Sequence, residues 1–292
     1  MGFASALSLL ASGAPWRRVL AITLAVIALG VPLLMPQGSV LRAAAALYLL
    51  WTCAKVVDLC RDPMPRPAHY RVLQALVLHD LRRDGYGRGG AHPEFRLGLL
   101  ASAVAGVTLG VICLHVALFE AALLPRPWGW LLRHAAGLAL AYFGVEGALR
   151  SFELIYRAFG LRPPAFHQHP ILSASIAEFW GRRWNRVVGS WLFSTFYRPV
   201  ALGGSPRLAL LCAFAASALL HLYFTWAAVG LGWGLVMASF FLLQVPLLLL
   251  EASLKAPRWP RPLRRLWTLG WLTLTSPLFV APTLAILGAG FE

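Results

Sequence analysis

A chain of 292 residues that is 59% hydrophobic and only 13% charged lies well outside the composition of soluble globular domains. Long apolar stretches joined by short loops instead imply an integral membrane protein with one domain over residues 1–292. The 26 Lys plus Arg against 11 Asp plus Glu, a formal +15, serve membrane topology first, so lipid and not nucleic acid is the expected partner.

At the N-terminus, Trp16-Arg17-Arg18 precedes a stretch long enough to cross a bilayer and lacking a small-residue cleavage pattern, so it reads as a retained span. Gly2 is no myristoylation site because residue 6 is Ala, and nothing else is expected to anchor this end. Apolar runs of about 20 residues occur at 18–36, 39–57, 97–119, 129–150, 207–229, 231–250 and 264–287. The expected fold is an all-α polytopic bundle of about seven to eight spans. Arg17, Arg18 and the loops at 55–96, 150–207 and 251–265 hold 23 of the 26 basic residues, leaving only Arg42, Arg126 and Arg133 opposite. The positive-inside rule then puts the N-terminus in the cytoplasm and the C-terminus across the membrane.

The loop after the second span carries Pro63, Pro65, Pro67, Arg82, Arg83 and a Gly-rich turn at Gly85–Gly90, with one short helix expected around Tyr70–Leu81. Cys53, Cys60, Cys113 and Cys212 lie in or beside apolar spans without metal or disulfide spacing and read as small hydrophobes. Glu146 and Glu153 each stand four residues before an arginine, Arg150 and Arg157, the favourable order for a helical ion pair. Glu146 is also a candidate cavity residue.

The segment 163–206 is the most informative. Pro163, Pro164 and Pro170 stop the preceding helix, and Ser175-Ile-Ala-Glu178 is a capping box that starts a new one at Ile176. At about 100° per residue, Trp180, Trp184, Val187 and Trp191 share one stripe, and Glu178, Arg182, Asn185 and Gly189 the opposite one. An amphipathic cytoplasmic helix over 176–196 is expected, its tryptophans against lipid or core and its Arg182–Asn185 face toward a cavity. His167 and His169 have two-ligand spacing but no third ligand beside them, so no metal is expected.

In the fifth span Ser217, His221 and Thr225 recur every four residues on one helix face. His221 lies 14 residues beyond Arg207, about 21 Å along a helix. An ionisable group so deep is a functional candidate by default; the alternative is a hydrogen bond that glues two helices together. Gln244, midway along the sixth span, carries the same two readings.

Phe179-Trp180-Gly181-Arg182-Arg183-Trp184-Asn185, with Ser173 before it and Tyr197-Arg198-Pro199 after it, resembles the signature of the membrane-bound O-acyltransferases, in particular their wax-synthase-like branch. That family has an essential membrane-embedded histidine downstream of the Asn/His position, and His221 follows Asn185 by 36 residues. The resemblance covers roughly 165–230. It implies acyl-CoA as co-substrate, a lipid alcohol as acceptor, wax esters as product and no metal or redox cofactor. Asn185 stands where the wax-synthase-like branch often has His, which keeps a diacylglycerol, a sterol or a specialised-metabolite hydroxyl open as acceptor.

In this reading His221 is the general base and Asn185 the amide that polarises the thioester carbonyl or holds the oxyanion. Trp180, Arg182, Arg183, Trp184, Arg186 and Arg198 would form an aromatic and basic mouth for polyanionic CoA, with Ser217, Thr225 and Glu146 as further cavity candidates. A transporter is disfavoured by the lack of an internal repeat, and an inactive lipid-binding scaffold by the presence of both Asn185 and His221. A chain rich in Ala, Leu, Arg and Gly suggests a GC-rich, bacterial source and hence the inner membrane. Oligomeric state is not legible.

Overall fold

The computed structural model describes residues 2–11, 14–38, 40–61, 67–76, 96–160 and 165–288. The expected turn at Gly85–Gly90, Pro63, Pro65, Arg82, Arg83, Pro163 and Pro164 lie outside them. Among the described residues every regular element is helical.

Gly2–Leu10 (α1) precedes Pro15–Ala28 (α2), which a 3₁₀ turn at Val31–Leu34 extends; Val40–Cys60 (α3) and Ala68–Leu76 (α4) follow. Leu97–Leu118 (α5) and Trp128–Ala158 (α6) form a second pair. The signature region comprises Ile176–Glu178 (α7), Arg186–Leu192 (α8) and Arg198–Leu202 (α9), with π turns at Phe179–Arg183 and Phe193–Tyr197. Pro206–Val229 (α10), Leu231–Ser253 (α11), Arg261–Thr275 (α12) and Pro277–Ile286 (α13) complete the chain.

Every expected span coincides with a helix, but fewer than seven qualify as unbroken apolar crossings. Among the described residues five helices are long and apolar enough to span a bilayer: α2 with its 3₁₀ extension, α3, α5, α10 and α11. The stretch expected at 264–287 is two helices, α12 and α13, bent by 46° at Ser276 and able to make a sixth crossing. The difference lies at 129–150. There the 31-residue α6 is ample in length, but Arg133, His134, Glu146 and Arg150 lower its apolarity.

The N-terminal end is anchored by packing, contrary to expectation. Ala4 and Leu7 of α1 join Ala21, Ala25, Val56 and Leu59 in one buried cluster. The buried Arg71 of α4 donates to the carbonyls of Ser8 and Leu59, both at 3.3 Å, satisfying C-terminal oxygens of α1 and α3. The short helix foreseen at 70–81 is α4, and residues beyond Leu76 lie outside the described set.

The most extensive helix pairing is α5 with α6, and it rests on glycine. Gly106 and Gly110 of α5 meet Gly147 and Gly144 of α6 so closely that a Cβ on Gly106 would lie 2.7 Å from the Gly147 Cα. In a bilayer, where hydrophobicity does not drive helices together, such small-residue seams let backbones reach dispersion contact. Val104, Val111 and Ile112 of α5 face outward as lipid-contacting surface. The predicted pairs Glu146–Arg150 (2.8 Å) and Glu153–Arg157 (3.0 Å) both form on α6, and Arg150 also reaches Glu153 at 3.1 Å.

Candidate functional site

Ser175 caps α7 as its sequence foretells: its Oγ accepts from the Glu178 N–H at 2.8 Å, and Glu178 Oε2 accepts from the Ala174 N–H at 2.8 Å. The other first-turn donors are met from afar. The buried carboxylate of Glu251, at the end of α11, accepts from the Ile176 N–H at 2.9 Å and the Ala177 N–H at 3.3 Å. It thereby fastens the start of the signature to α11.

From Phe179 the chain departs from the single amphipathic helix expected over 176–196. A π turn ends with the Trp184 N–H on the Phe179 carbonyl at 2.8 Å, Trp184 is extended, and Asn185 is left-handed at φ 33°, ψ 63°. Asn tolerates this region better than most residues. Its Oδ1 caps α8 by accepting from the Val188 N–H at 3.4 Å. Its amide NH₂ has no partner among the described residues.

The break overturns the expected division into a tryptophan face and an Asn185 face. Trp180, Trp184, Asn185 and Gly189 all line one cavity of about 490 Å³. Trp191, expected on the lipid stripe, instead donates its indole N–H to Asp58 of α3 at 3.2 Å. Gln244 resolves as an anchor: fully buried, it accepts from the Trp180 Nε1–H at 3.1 Å and donates to the Phe240 carbonyl at 3.1 Å.

Across the cavity α10 presents His221 and Ser217. The His221 Nδ1 lies 2.8 Å from the Ser217 carbonyl. A carbonyl only accepts, so Nδ1 carries the proton and Nε2 holds the lone pair, with no partner among the described residues. Phe241 stacks on the ring with centroids 3.9 Å apart and planes 28° apart, fixing its tilt. The remaining wall is largely apolar and aromatic, from Phe214, Phe241 and Phe279, which suits a lipid chain. Tyr197, not foreseen as a site residue, also lines it.

Other expected site residues lie elsewhere. Thr225 does not line the cavity; it is fully buried, and its Oγ1 has no partner among the described residues. Glu146 also lies off the cavity, bonded to Arg150 and His167, while its neighbour Val145 lines it. No arginine of the cluster lines the cavity. Arg183 is tied to Glu178 at 2.7 Å and to the Gln168 carbonyl at 2.9 Å, and Arg186 donates to the Ala165 carbonyl at 2.9 Å; Arg182 and Arg198 are exposed. His169 is exposed too, and His167 is engaged by Glu146. The four cysteines are unpaired and half-buried.

Burial opposes ionisation of Glu178, yet the Ala174 N–H, the Arg183 guanidinium and the Arg264 charge together hold its carboxyl below the ordinary range.

Residues 162–243 match the membrane bound O-acyl transferase family. Over 89 residues, 27% of this chain and 25% of the relative, the sequence is 39% identical to a long-chain-alcohol O-fatty-acyltransferase of Simmondsia chinensis. Over 130 residues, 37% of each chain, it is 34% identical to the probable long-chain-alcohol O-fatty-acyltransferase 2 of Arabidopsis thaliana. The matches thus span a quarter to little more than a third of these relatives' lengths. The family match takes in both Asn185 and His221, the two walls of the cavity.

Proposed function

We propose that the protein transfers a fatty acyl group from acyl-CoA to the hydroxyl of a lipid-soluble alcohol, with wax esters as the foremost product. The observation that carries this reading is that Asn185 and His221, 36 residues apart, line one largely apolar cavity with an amide N–H and an imidazole lone pair both uncommitted among the described residues.

In the proposed cycle the alcohol hydroxyl gives its proton to His221 Nε2 while its oxygen bonds to the thioester carbonyl carbon. The Asn185 amide donates to the resulting oxyanion, a role whose removal elsewhere costs about 2.7–4 kcal/mol. Collapse breaks the carbon–sulfur bond, and the thiolate takes back the proton from the imidazolium, leaving ester, free CoA and neutral His221. His221 and Asn185 need no metal or redox group for these steps. Arg182 and Arg198, exposed beside the signature, are available to the phosphates of CoA, whereas Arg183 and Arg186 hold the fold of the loop. With α6 counted as a crossing, the charge distribution favours a cytoplasmic N-terminus and a C-terminus opposite; a bacterial source would make that membrane the inner one.

The test is release of CoA thiol from palmitoyl-CoA by purified protein supplied with a long-chain alcohol, a diacylglycerol or a sterol. The long-chain alcohol is expected to support release, and His221→Ala to abolish it while the protein remains monodisperse and folded. Full activity in that variant refutes the mechanism, and preference for another acceptor reassigns the product.

A further inference from the structure

In the sequence His167 offers only a two-ligand spacing with His169, and the mechanism above makes no use of it. Its side chain is 1% exposed, and its Nδ1 sits 2.9 Å from Glu146 Oε2; since a carboxylate accepts, Nδ1 donates. Glu146 is itself fixed by the Arg150 Nε–H at 2.8 Å, so the imidazole is tied to α6. Its Nε2 is buried without a partner, so among the described residues the ring's orientation depends on Glu146 alone for a hydrogen bond.

What the ring touches is the break in the signature. It lies against Trp184 with centroids 4.7 Å apart, and Trp184 is stacked on Phe179 at 5.4 Å and 15°. The residues on either side of His167 grip the chain on either side of that break: the Arg186 N–H donates to the Phe166 carbonyl at 2.9 Å, and the Gln168 N–H to the Arg183 carbonyl at 3.0 Å. Between those two bonds stand only Trp184 and Asn185, the latter in a left-handed conformation that a non-glycine residue keeps only where its surroundings over-determine it.

Resting on the acyl-transfer reading, we propose that His167, oriented by Glu146, is a positioning residue that holds the Trp184–Asn185 turn so that the Asn185 amide faces the reacting carbonyl. A side chain that merely filled this space could be apolar. An imidazole with one nitrogen committed to a carboxylate and the other left bare is an expensive filler, and its hydrogen bond transmits the placement of α6 to the turn.

The test is a double-mutant cycle on CoA release by purified protein. His167→Leu is expected to lower kcat on the order of 100-fold, the scale of an ångström misplacement at a reacting centre, with KM for acyl-CoA changed little. His167→Asn, whose amide can still donate to Glu146, is expected to recover much of that loss. In an Asn185→Ala background, His167→Leu should change kcat less than about twofold, because the group it positions is gone. Losses that multiply independently in the double variant, or an unchanged kcat in His167→Leu, overturn the proposal. If His167→Leu does not fold, Glu146→Gln replaces it, with a smaller loss expected to vanish in the same background and an undiminished one counting against the proposal. Asn185→Ala and His221→Ala measured alone separate the levels: if neither slows release, it is the acyl-transfer reading that fails.

Discussion

Replacing Gly147 with alanine places a methyl group where the structure has backbone. The new Cβ would overlap Val107 N and lie 2.6 Å from the Gly106 carbonyl carbon, against the 3.5–4.0 Å at which carbon atoms rest. No side chain can swing aside, so α5 and α6 must separate by about 1 Å or the seam must shear. Gly144→Ala on the same helix is the control. Its Cβ would meet only the flexible end of Leu140, at 3.2 Å. Both variants share the gain in helix propensity, about 0.8–1.0 kcal/mol, so the difference between them isolates the steric cost, about 1–3 kcal/mol. Unfolding in mixed micelles, followed by SDS titration, should rank Gly144→Ala at or above the parent and Gly147→Ala well below it. Acyl transfer should fall in Gly147→Ala as well, because Val145 of the cavity wall and Glu146, which holds His167, are its neighbours on α6. Equal midpoints for the two variants would refute the close-packed seam.

Thr225→Val replaces a fully buried hydroxyl that has no partner among the described residues with a methyl of similar shape. It should stabilise the fold by about 1 kcal/mol, read by the same titration, and leave kcat unchanged because Thr225 does not line the cavity. Glu178→Gln keeps an acceptor for the Ala174 N–H but loses the charge paired with Arg183, and should cost up to about 1 kcal/mol at neutral pH. The sign follows from its lowered folded pKa: the carboxylate stabilises the fold above the ordinary carboxyl value, and that contribution is lost as pH falls through the depressed one. Parent and variant should therefore converge in acid, and a constant gap across that range would contradict the assignment.

The spans were legible because bilayer thickness sets the length of an apolar run, and the start at Ile176 because Ser175 and Glu178 meet the capping needs of their own backbone. Partners distant in sequence were not legible. Nothing local says that Glu251 will accept from Ile176, 75 residues earlier, that Gln244 will hold Trp180, or that Glu146 will orient His167. The seam of α5 and α6 did leave a trace, since Gly106 and Gly110 have the small-xxx-small spacing of membrane helix contacts, and a search for that pattern would have found it.

The helical wheel drawn through 176–196 failed for one physical reason, and that reason also builds the site. A wheel holds only while each residue advances by the same angle. The π turn at Phe179–Arg183 inserts an extra residue into its loop, and the left-handed Asn185 then reverses the local course of the chain. On a regular helix Trp184 and Asn185, as consecutive residues, would point about 100° apart. Here both reach the same cavity, with Trp180 and Gly181 beside them. The sequence places Asn at the position where left-handed backbone is needed, and that residue supplies both the tolerance for the turn and a side-chain oxygen that caps α8. Its amide hydrogens are then left over for chemistry. Asn185→Ala therefore removes a turn former, a cap and a donor together, whereas Asn185→Asp keeps the first two, deletes the N–H groups and sets a carboxylate charge in their place. If acyl transfer depends on the amide, the aspartate variant should fold like the parent yet lose kcat on the order of 100-fold or more, and an aspartate variant of full activity would leave Asn185 with only its structural work.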